Sequence, residues 1–444
     1  MSKILNIGET IFNSDFVGYL SVRKELFGSR TLDSVLSVNL LGLIKKSPKP
    51  STRIYTPFTS SYSSSASSYE LQGIKFNPYG SRRSRASYII TGTTGNAFGP
   101  GAVGAVYVGA IDGGSTSEGS GSGQWINFNV PFEGVTGTSC YGADILSPGK
   151  GPGGIGNIAL VGTWTNSADT LLGFFYEGKL NQLKNATAVP SQFKSFQAVT
   201  GDDALANYTY LHSIDGGYAV GNFTTDAGYV GLFLNSGPGS GSYIYNPKTN
   251  SQIDAVYKDE YTYHSLFGIW LNRDNSYTVS GGGSNVDLLT DYAVASQKLP
   301  DLVRKGLPPD AAFGRGMFAD IDPLTGIIKN EKYYNFMNEP SEQIFTHFQG
   351  IYYAGNGVYQ APFDALTSAD EISIGIAYVK RQDNGTFSDK ALWQTFPAPP
   401  ADVLVSNDSV AAAASVGALS STSLTTFASI SETQAYLLAA QFLH

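Results

Sequence analysis

Cysteine, charge and basic clusters are all scarce in this sequence. Its 444 residues include one cysteine, Cys140, so no internal disulfide can form, and no grouping of His and Cys has the spacing of a zinc site. Only 14% of the residues are charged, and a net charge of −8 does not suit a protein that binds a phosphate backbone through clustered Lys and Arg. We therefore expect no bound metal and no nucleic-acid partner.

Long hydrophobic runs are also missing. Residues 35–44 form the most apolar early stretch, but polar residues interrupt it and it is too short to span a bilayer, so no transmembrane segment is expected. The first residues lack the basic, apolar and small-residue segments of a secretory leader, so no signal peptide is evident. Low charge and abundant Gly, Ser, Thr, Asn and Tyr nevertheless favour an extracellular or surface-associated protein, with the cytoplasm as the alternative.

One glycine-rich stretch invites comparison with a phosphate-binding loop. Residues 150–156 read KGPGGIG, but no Lys-Ser/Thr pair and no helical pattern follow them. A loop that cradles phosphates needs both, because the lysine and the helix N-terminus supply the positive charge. We therefore expect no nucleotide, and no other cofactor is indicated.

Glycine and tyrosine are plentiful, with 51 and 27 residues, and this composition favours many short strands joined by tight turns. A repeat organises these strands. Each unit begins with an apolar residue, a polar or aromatic residue, a small residue and usually an aliphatic one, at 71–74, 140–143, 211–214, 266–269 and 348–351. A second strand follows, then a third at 104–108, 173–176, 231–234, 316–319 and 375–378, and a fourth at 125–128, 180–183, 243–245, 333–336 and 392–396.

Four strands per unit, repeated five times, predict an all-β fold, a β-propeller with four-stranded antiparallel blades. The predicted units span about 68–134, 138–187, 205–250, 262–337 and 344–397. A sixth, closing blade is predicted from 402–430 together with the N-terminal segment, and the alternative is five blades. The propeller would then cover 51–430, with residues 1–50 as an extension that packs on it and 431–444 as a C-terminal helix.

The repeats resemble the bacterial propeller repeats of HAF type. The nearest matches are residues 212–225 with 228–235, and residues 138–165 with 173–176. The resemblance covers roughly residues 68–397. It implies a propeller and a frequent envelope or exported setting, and it brings no catalytic residues to transfer.

One position of the repeat supplies the candidate ligand-binding residues. It stands just before the small residue of each first strand, and its occupants are Gln72, Tyr141, His212, Phe267 and Gln349. If this position faces the axis, the five side chains form a polar and aromatic ring suited to a glycan or another polar polymer. The alternative is a water-filled channel in which these side chains satisfy backbone groups.

An insertion interrupts the fourth unit at about residues 285–315, and its apolar spacing predicts one or two helices over an end of the channel.

The main interpretation of the sequence is that the protein is a non-catalytic binding module, with its ligand at the mouth of the channel near this insertion. The first alternative is a hydrolase of a carbohydrate or ester, with Asp287, Asp291 and Asp320 as carboxylates. The second is a structural component of a filament or virion, which would self-associate through an exposed apolar patch.

Overall fold

The computed structural model describes residues 69–79, 87–94, 100–110, 123–225, 234–235, 239–258, 261–284, 314–338, 343–367 and 372–396. In these ranges the fold is all-β, and its helical segments are the short 3₁₀ turns Pro152–Gly154, Leu180–Ala188, Pro190–Gln192 and Phe336–Asn338. No helix in the same ranges is both long and apolar enough to cross a lipid bilayer. The predicted extension (1–50), fourth-unit insertion, closing blade (402–430) and C-terminal helix (431–444) lie outside the described residues.

Five units follow one another along the chain, and in each unit neighbouring strands pair antiparallel in chain order. Unit 1 contains β1 (Tyr69–Asn77), β2 (Ser87–Thr94), β3 (Val103–Ala110) and β4 (Gln124–Phe128). Unit 2 contains β5 (Val135–Ile145), β6 (Asn157–Asn166), β7 (Leu171–Lys179) and β8 (Phe193–Phe196). Unit 3 contains β9 (Tyr208–Asp215), β10 (Tyr218–Thr224), β12 (Ser240–Asn246) and β13 (Ser251–Asp254), while β11 (Leu234–Asn235) pairs with the next unit.

Unit 4 contains β14 (Tyr263–Leu271), β15 (Tyr277–Ser284), β16 (Arg315–Ile321) and β17 (Ile328–Tyr334). Unit 5 contains β18 (Gln343–Phe348), β19 (Tyr352–Gly355), β20 (Val358–Thr367), β21 (Ile372–Lys380) and β22 (Leu392–Phe396). Both β18 and β19 pair with β20, so together they occupy the place of one interrupted first strand. The predicted order of four strands per unit is therefore present five times in the described part of the chain.

Two outer strands differ from the sequence prediction. In unit 2, residues 180–183 lie in a 3₁₀ turn that buries Leu180 and Leu183, and the fourth strand is β8. In unit 3, residues 243–245 belong to the third strand, β12, and the fourth strand is β13. The three residues 243–245 are fully buried, and a continuous apolar run of this kind suits a strand covered on both faces better than an outer strand.

The short hairpins that join first and second strands in units 3, 4 and 5 use residues with positive φ. Asn356 and Gly357 have φ of 52° and 75°, and Asn275 has φ of 64°. In unit 3 the two positive-φ residues are Gly216 and Gly217. These turns all lie where the first strands end, so units 3, 4 and 5 carry a short hairpin at the same end, whereas the connections of units 1 and 2 are longer.

The first strands of successive units lie against one another. A Cβ atom on Gly73 would lie 2.3 Å from the carbonyl oxygen of Tyr141, and one on Gly268 would lie 2.7 Å from the backbone nitrogen of Ile351. The hydroxyl of Thr91 donates to the same Tyr141 carbonyl at 2.6 Å. Only a residue without a side chain allows backbones to approach this closely, which explains the glycines at these two positions of the repeat.

The hydrophobic core lies between neighbouring sheets. Separate clusters of buried side chains join units 1 and 2, units 2 and 3, units 3 and 4, and units 4 and 5. Sheets that pack face to face in chain order, with their first strands meeting at a common centre, have the radial arrangement of β-propeller blades.

Candidate functional site

The five predicted ring residues share one backbone position, a β-bulge at the break in register of each first strand. Breaks lie between Leu71 and Gly73, and between Cys140 and Gly142. The same break surrounds His212 and Phe267, and Gln349 lies between β18 and β19. A bulge leaves its extra residue outside the ladder and re-aims the side chain, here toward the other units.

The three aromatic side chains of this set meet across units. The rings of Tyr141 and His212 are 5.4 Å apart, and His212 stacks on Phe267 at 4.1 Å. All five ring residues are at most 9% exposed, and Gln349 is fully buried. The ring is therefore a buried layer across the axis, and not an open channel.

His212 has an unusual environment in this layer. Its Nε2 atom is buried and makes no hydrogen bond within the described residues. Burial lowers the pKa of His212 to about 3, because an imidazolium ion would lose its hydration there. The imidazole of His212 is thus neutral at physiological pH, and its buried Nε2 atom has no hydrogen-bond partner among the described residues.

A shallow pocket lies on one side of this layer, and the space between its walls is about 420 Å³ when open solvent is included. Tyr141 and His212 reach it from the buried layer, and the walls come from all five first strands. The wall residues are Gly73, Ile74, Lys75, Gly142, Ala143, Ser213, Ile214, Ile269, Trp270, Ile351 and Tyr352. Segments from five units thus converge on one opening at the axis.

A second set of equivalent residues stands three positions after the ring residue in each unit. We call it the rim, and its members are Lys75, Asp144, Asp215, Trp270 and Tyr352. Lys75, Trp270 and Tyr352 line the pocket, and Asp144 and Asp215 lie beside it as the ion-pair partners of Lys75. Because both sets repeat with the first strands, the buried layer and the rim lie at two levels along the same axis. The rim therefore combines two carboxylates, one ammonium group and two aromatic rings.

The charged members of the rim form one ion-pair cluster. The Nζ atom of Lys75 donates to Oδ1 of Asp144 at 2.8 Å and to Oδ1 of Asp215 at 2.5 Å, so the two carboxylate oxygens lie within about 5 Å of each other. The backbone N–H of Gly216 donates to Oδ2 of Asp144, and that of Leu271 donates to Oδ2 of Asp215. All four carboxylate oxygens thus accept a hydrogen bond, and the cluster links units 1, 2, 3 and 4.

The electrostatics of the cluster follow from burial and proximity. Burial by itself would lower the pKa of Lys75, but the charges of Asp215 and Asp144 raise it above its usual value. Burial raises the pKa of Asp215 above its usual range, although the charge of Lys75 opposes this shift. With one positive and two negative groups, the cluster carries a net negative charge when all three are ionised.

The aromatic members of the rim are only partly buried. The rings of Trp270 and Tyr352 are 5.6 Å apart at a steep angle, and Nζ of Lys75 lies 5.7 Å from the centre of the Trp270 ring. A half-exposed aromatic face beside hydrogen-bonding groups can stack against the apolar face of a sugar or similar ligand.

Two of the three predicted catalytic carboxylates fall on the insertion of unit 4. Asp287 and Asp291 lie outside the described residues, and the insertion that carries them connects Ser284 to Arg315 at the end of unit 4 opposite the rim. Second strands run back from the rim to the other end, so the two residues that anchor the insertion lie away from the pocket. The placement of the insertion itself lies outside the described residues, so the ligand site expected beside it stays a prediction.

Asp320 is the third predicted carboxylate, and it lies in β16, the third strand of unit 4. Its Oδ1 accepts from Thr278 at 3.0 Å, and its Oδ2 accepts from Asn330 at 2.8 Å and from Arg381 at 2.9 Å. The side chain therefore clamps unit 4 to unit 5 and does not line the pocket.

The two other histidines of the described first strands have structural partners. His264 stacks on Tyr257 at 3.6 Å, and Nε2 of His347 lies 2.8 Å from the hydroxyl of Ser265. Across the described ranges, no three His, Cys, Asp or Glu side chains come together as ligands for a metal ion.

The rim escaped the sequence analysis although its signal was present. Alignment on the small residue brings Lys75, Asp144, Asp215, Trp270 and Tyr352 into one column. Their chemistry differs from unit to unit, so the column does not stand out as a motif. Only the three-dimensional structure shows that the single lysine of the column forms ion pairs with both of its aspartates.

No family model matches the chain, and no curated protein matches it. The resemblance to HAF-type repeats accordingly stays a prediction. Among solved structures, an alpha-L-arabinofuranosidase from Lactobacillus brevis is 10% identical, with a TM-score of 0.37 over 74% of this chain and 95% of that chain. A GH43_1 enzyme from Xanthomonas citri is 10% identical, with a TM-score of 0.35 over 75% and 95%. A Cellvibrio cellulosa alpha-L-arabinanase is 12% identical, with a TM-score of 0.31 over 73% and 95%.

Proposed function

We propose that this protein binds a saccharide at the axial opening, and that the rim is the binding site. The observation that supports this most is the partly exposed pair of Trp270 and Tyr352 beside the ion-pair cluster of Lys75, Asp144 and Asp215. Aromatic faces give a sugar ring apolar contact, while charged groups and backbone atoms exchange hydrogen bonds with its hydroxyls.

The state of the carboxylates favours binding over catalysis. Each of their four oxygens already accepts a hydrogen bond from Lys75 or from a backbone N–H of the next unit. A general acid or base must exchange a proton with its substrate, and a fully bonded carboxylate beside an ammonium group is poorly prepared for this. The cluster is therefore better suited to hold the rim in shape.

Hydrolysis of a glycosidic bond is the second candidate, and one observation favours it. Asp144 and Asp215 lie within about 5 Å of each other, which is close to the separation of two carboxyls in retaining glycosidases. The raised pKa of Asp215 would suit the acid of such a pair. Two of the similar structures are named as enzymes of this class, but the candidate depends on these two side chains alone.

A glycan array with the intact chain tests the proposed function. We expect signals with a restricted set of glycans, and their loss in Trp270→Ala because the stacking face is gone. Trp125→Phe, which changes a tryptophan in β4 far along the chain from the rim, is the matched control and should bind as the wild type does. A wild-type array without signal would refute the proposal.

The bound glycans then separate binding from hydrolysis. They are incubated with wild type, Asp144→Asn and Asp215→Asn, and newly formed reducing ends are measured. Binding without any release supports the proposed function. Release by the wild type that falls in both variants, while binding persists, would establish the second candidate.

Three further expectations concern the closure of the ring, the location of the protein and its self-association. We propose that residues 402–430 and the N-terminal segment close the ring as a sixth blade, with five blades as the alternative. We also propose an extracellular or surface-associated location, where a glycan ligand would be met. Self-association as part of a filament or virion stays a prediction, which light scattering would test.

A further inference from the structure

The ion-pair cluster brings the amine of Lys75 into contact with carboxylates from two other units. Its Nζ atom lies 2.5 Å from Oδ1 of Asp215 and 2.8 Å from Oδ1 of Asp144. The three side chains are between 12% and 19% exposed, so little water surrounds the atoms that meet here. A lysine amine, a carboxyl carbon and a second carboxyl group, held together away from water, are the components for an amide bond between side chains.

The carboxyl carbon of Asp215 is close enough to Lys75 for attack by the amine. Because a carbon–oxygen bond is about 1.2 Å long, Cγ of Asp215 lies at most about 3.7 Å from Nζ. Reacting atoms in a near-attack arrangement are roughly 3–3.5 Å apart, so a small movement suffices. The other oxygen of Asp215, Oδ2, accepts a hydrogen bond from the backbone N–H of Leu271. The same N–H would stabilise the negative charge that develops on Oδ2 as the amine adds.

The second carboxylate gives the amine a route to lose its proton. Burial by itself would lower the pKa of Lys75, but the two carboxylates raise it, so the resting amine is an ammonium ion and cannot attack. Nζ already donates to Asp144, and a proton can pass along this hydrogen bond to leave a neutral amine. Burial also raises the pKa of Asp215, which favours the protonated carboxyl group that can lose water.

We propose that Lys75 and Asp215 form a covalent amide bond within this chain, with Asp144 as the proton acceptor. Nζ gives one proton to Asp144 and attacks Cγ of the protonated Asp215 carboxyl. The new N–C bond forms, and the bond between Cγ and the hydroxyl oxygen breaks. The hydroxyl leaves as water with a second proton from Nζ, so Asp144 ends as a neutral carboxyl and no other reactant is needed.

This bond would give the chain a cross-link that its cysteine content cannot provide. A single cysteine permits no internal disulfide, whereas an amide between Lys75 and Asp215 joins unit 1 to unit 3 across 140 positions of sequence. Closing a loop of this length restricts the unfolded chain and stabilises the fold. The bond is not expected of every ion pair, since Lys332 pairs with one carboxylate among the described residues, that of Asp389, which is 93% exposed.

The mass of the intact, denatured protein tests the cross-link. Loss of one water makes the wild type about 18 Da lighter than its sequence requires. We expect this difference to vanish in Lys75→Arg, which keeps the positive charge and removes the nucleophilic amine. Lys332→Arg is the matched control and should keep the lower mass. A wild-type mass equal to that of the sequence would overturn the proposal.

Sequencing of tryptic peptides then tests the roles of the two carboxyl groups. The wild type should yield a branched peptide in which Lys75 is joined to Asp215. Asp144→Ala should lack this peptide even when folded, because the amine keeps its proton. A bond from Lys75 to Asp144, or an unchanged yield of the branched peptide in Asp144→Ala, would overturn the assigned roles. The inference does not depend on the proposed saccharide binding, so a glycan array without signal leaves it standing.

Discussion

A buried histidine gives the folded protein a pH dependence that follows from His212 alone. Its pKa of about 3 in the fold is below the value near 6.5 of an unfolded chain. Between these values the unfolded state binds a proton that the folded state does not. Stability is therefore complete above about pH 6.5 and falls toward pH 3, by up to about 1.4 kcal/mol per pH unit.

The change His212→Phe removes this contribution, so we expect the variant to lose less stability on acidification than the wild type. Urea unfolding at pH 7.5 and pH 4.5 measures both free energies of unfolding. The carboxylates, including Asp215 with its opposite shift, titrate in both proteins and cancel in the comparison. Equal losses in the two proteins would show that His212 is hydrated in the fold.

The lysine of the rim should matter more than a lysine at the surface. Lys75→Met leaves Asp144 and Asp215 close together without their counter-ion, and we expect a loss of about 3 kcal/mol in the free energy of unfolding. Lys332→Met is the matched control, because its partner Asp389 is 93% exposed and solvent screens the pair. Similar effects of the two substitutions in chemical denaturation would contradict the ion-pair cluster.

At the scale of elements, the close approach of first strands makes particular glycines essential. Gly73→Ala would bring a Cβ atom within 2.3 Å of the Tyr141 carbonyl oxygen, and backbone of two units would have to separate. We expect a loss of about 2 kcal/mol or more. Gly241→Ala is the control, because its nearest neighbours are atoms of the Phe223 ring at 3.3 Å, which can move aside. Thermal unfolding that ranks the two variants in the opposite order would contradict this packing.

The strands that were predictable from sequence are those with strong local signals. The small residue after each bulge locates the first strand of every unit, and in units 3, 4 and 5 the turn residues with positive φ also locate the start of the second strand. Close packing and positive φ restrict the residues allowed at these positions. Outer strands were less predictable. The apolar residues of 180–183 and 243–245 are buried, and an apolar pattern indicates burial without identifying the element that is buried. The pattern therefore did not distinguish a 3₁₀ turn from a strand at 180–183, or a third strand from a fourth at 243–245.

The candidate site was predictable only in part for a related reason. The level of Gln72, Tyr141, His212, Phe267 and Gln349 came from the repeat, whereas their burial did not. Burial depends on how closely five strands approach the axis, which no single strand encodes. The cluster of Lys75 with Asp144 and Asp215 joins residues 69 and 140 positions apart, and a distance along the sequence of this size carries no local pattern.

At the scale of the whole molecule, the two ends of the axis should have separate roles. The insertion joins Ser284 to Arg315 at the end opposite the rim, and the neighbouring residues Gly283 and Arg315 pair directly. A short hairpin loop can therefore replace residues 285–313. We expect the shortened protein to fold and to bind the array's best glycan with unchanged affinity in titration calorimetry. A loss of binding in the folded, shortened protein would bring the insertion into the site.

Five segments that are far apart in the sequence form the proposed ligand site. Hydrogen–deuterium exchange with and without the bound glycan tests this convergence most directly. Exchange should slow together in the peptides that cover residues 73–75, 142–144, 213–215, 269–271 and 351–353. Peptides from the outer strands β4, β8, β13, β17 and β22 should exchange as before. Protection confined to a single unit, or to the end that carries Ser284 and Arg315, would contradict a site at the axis.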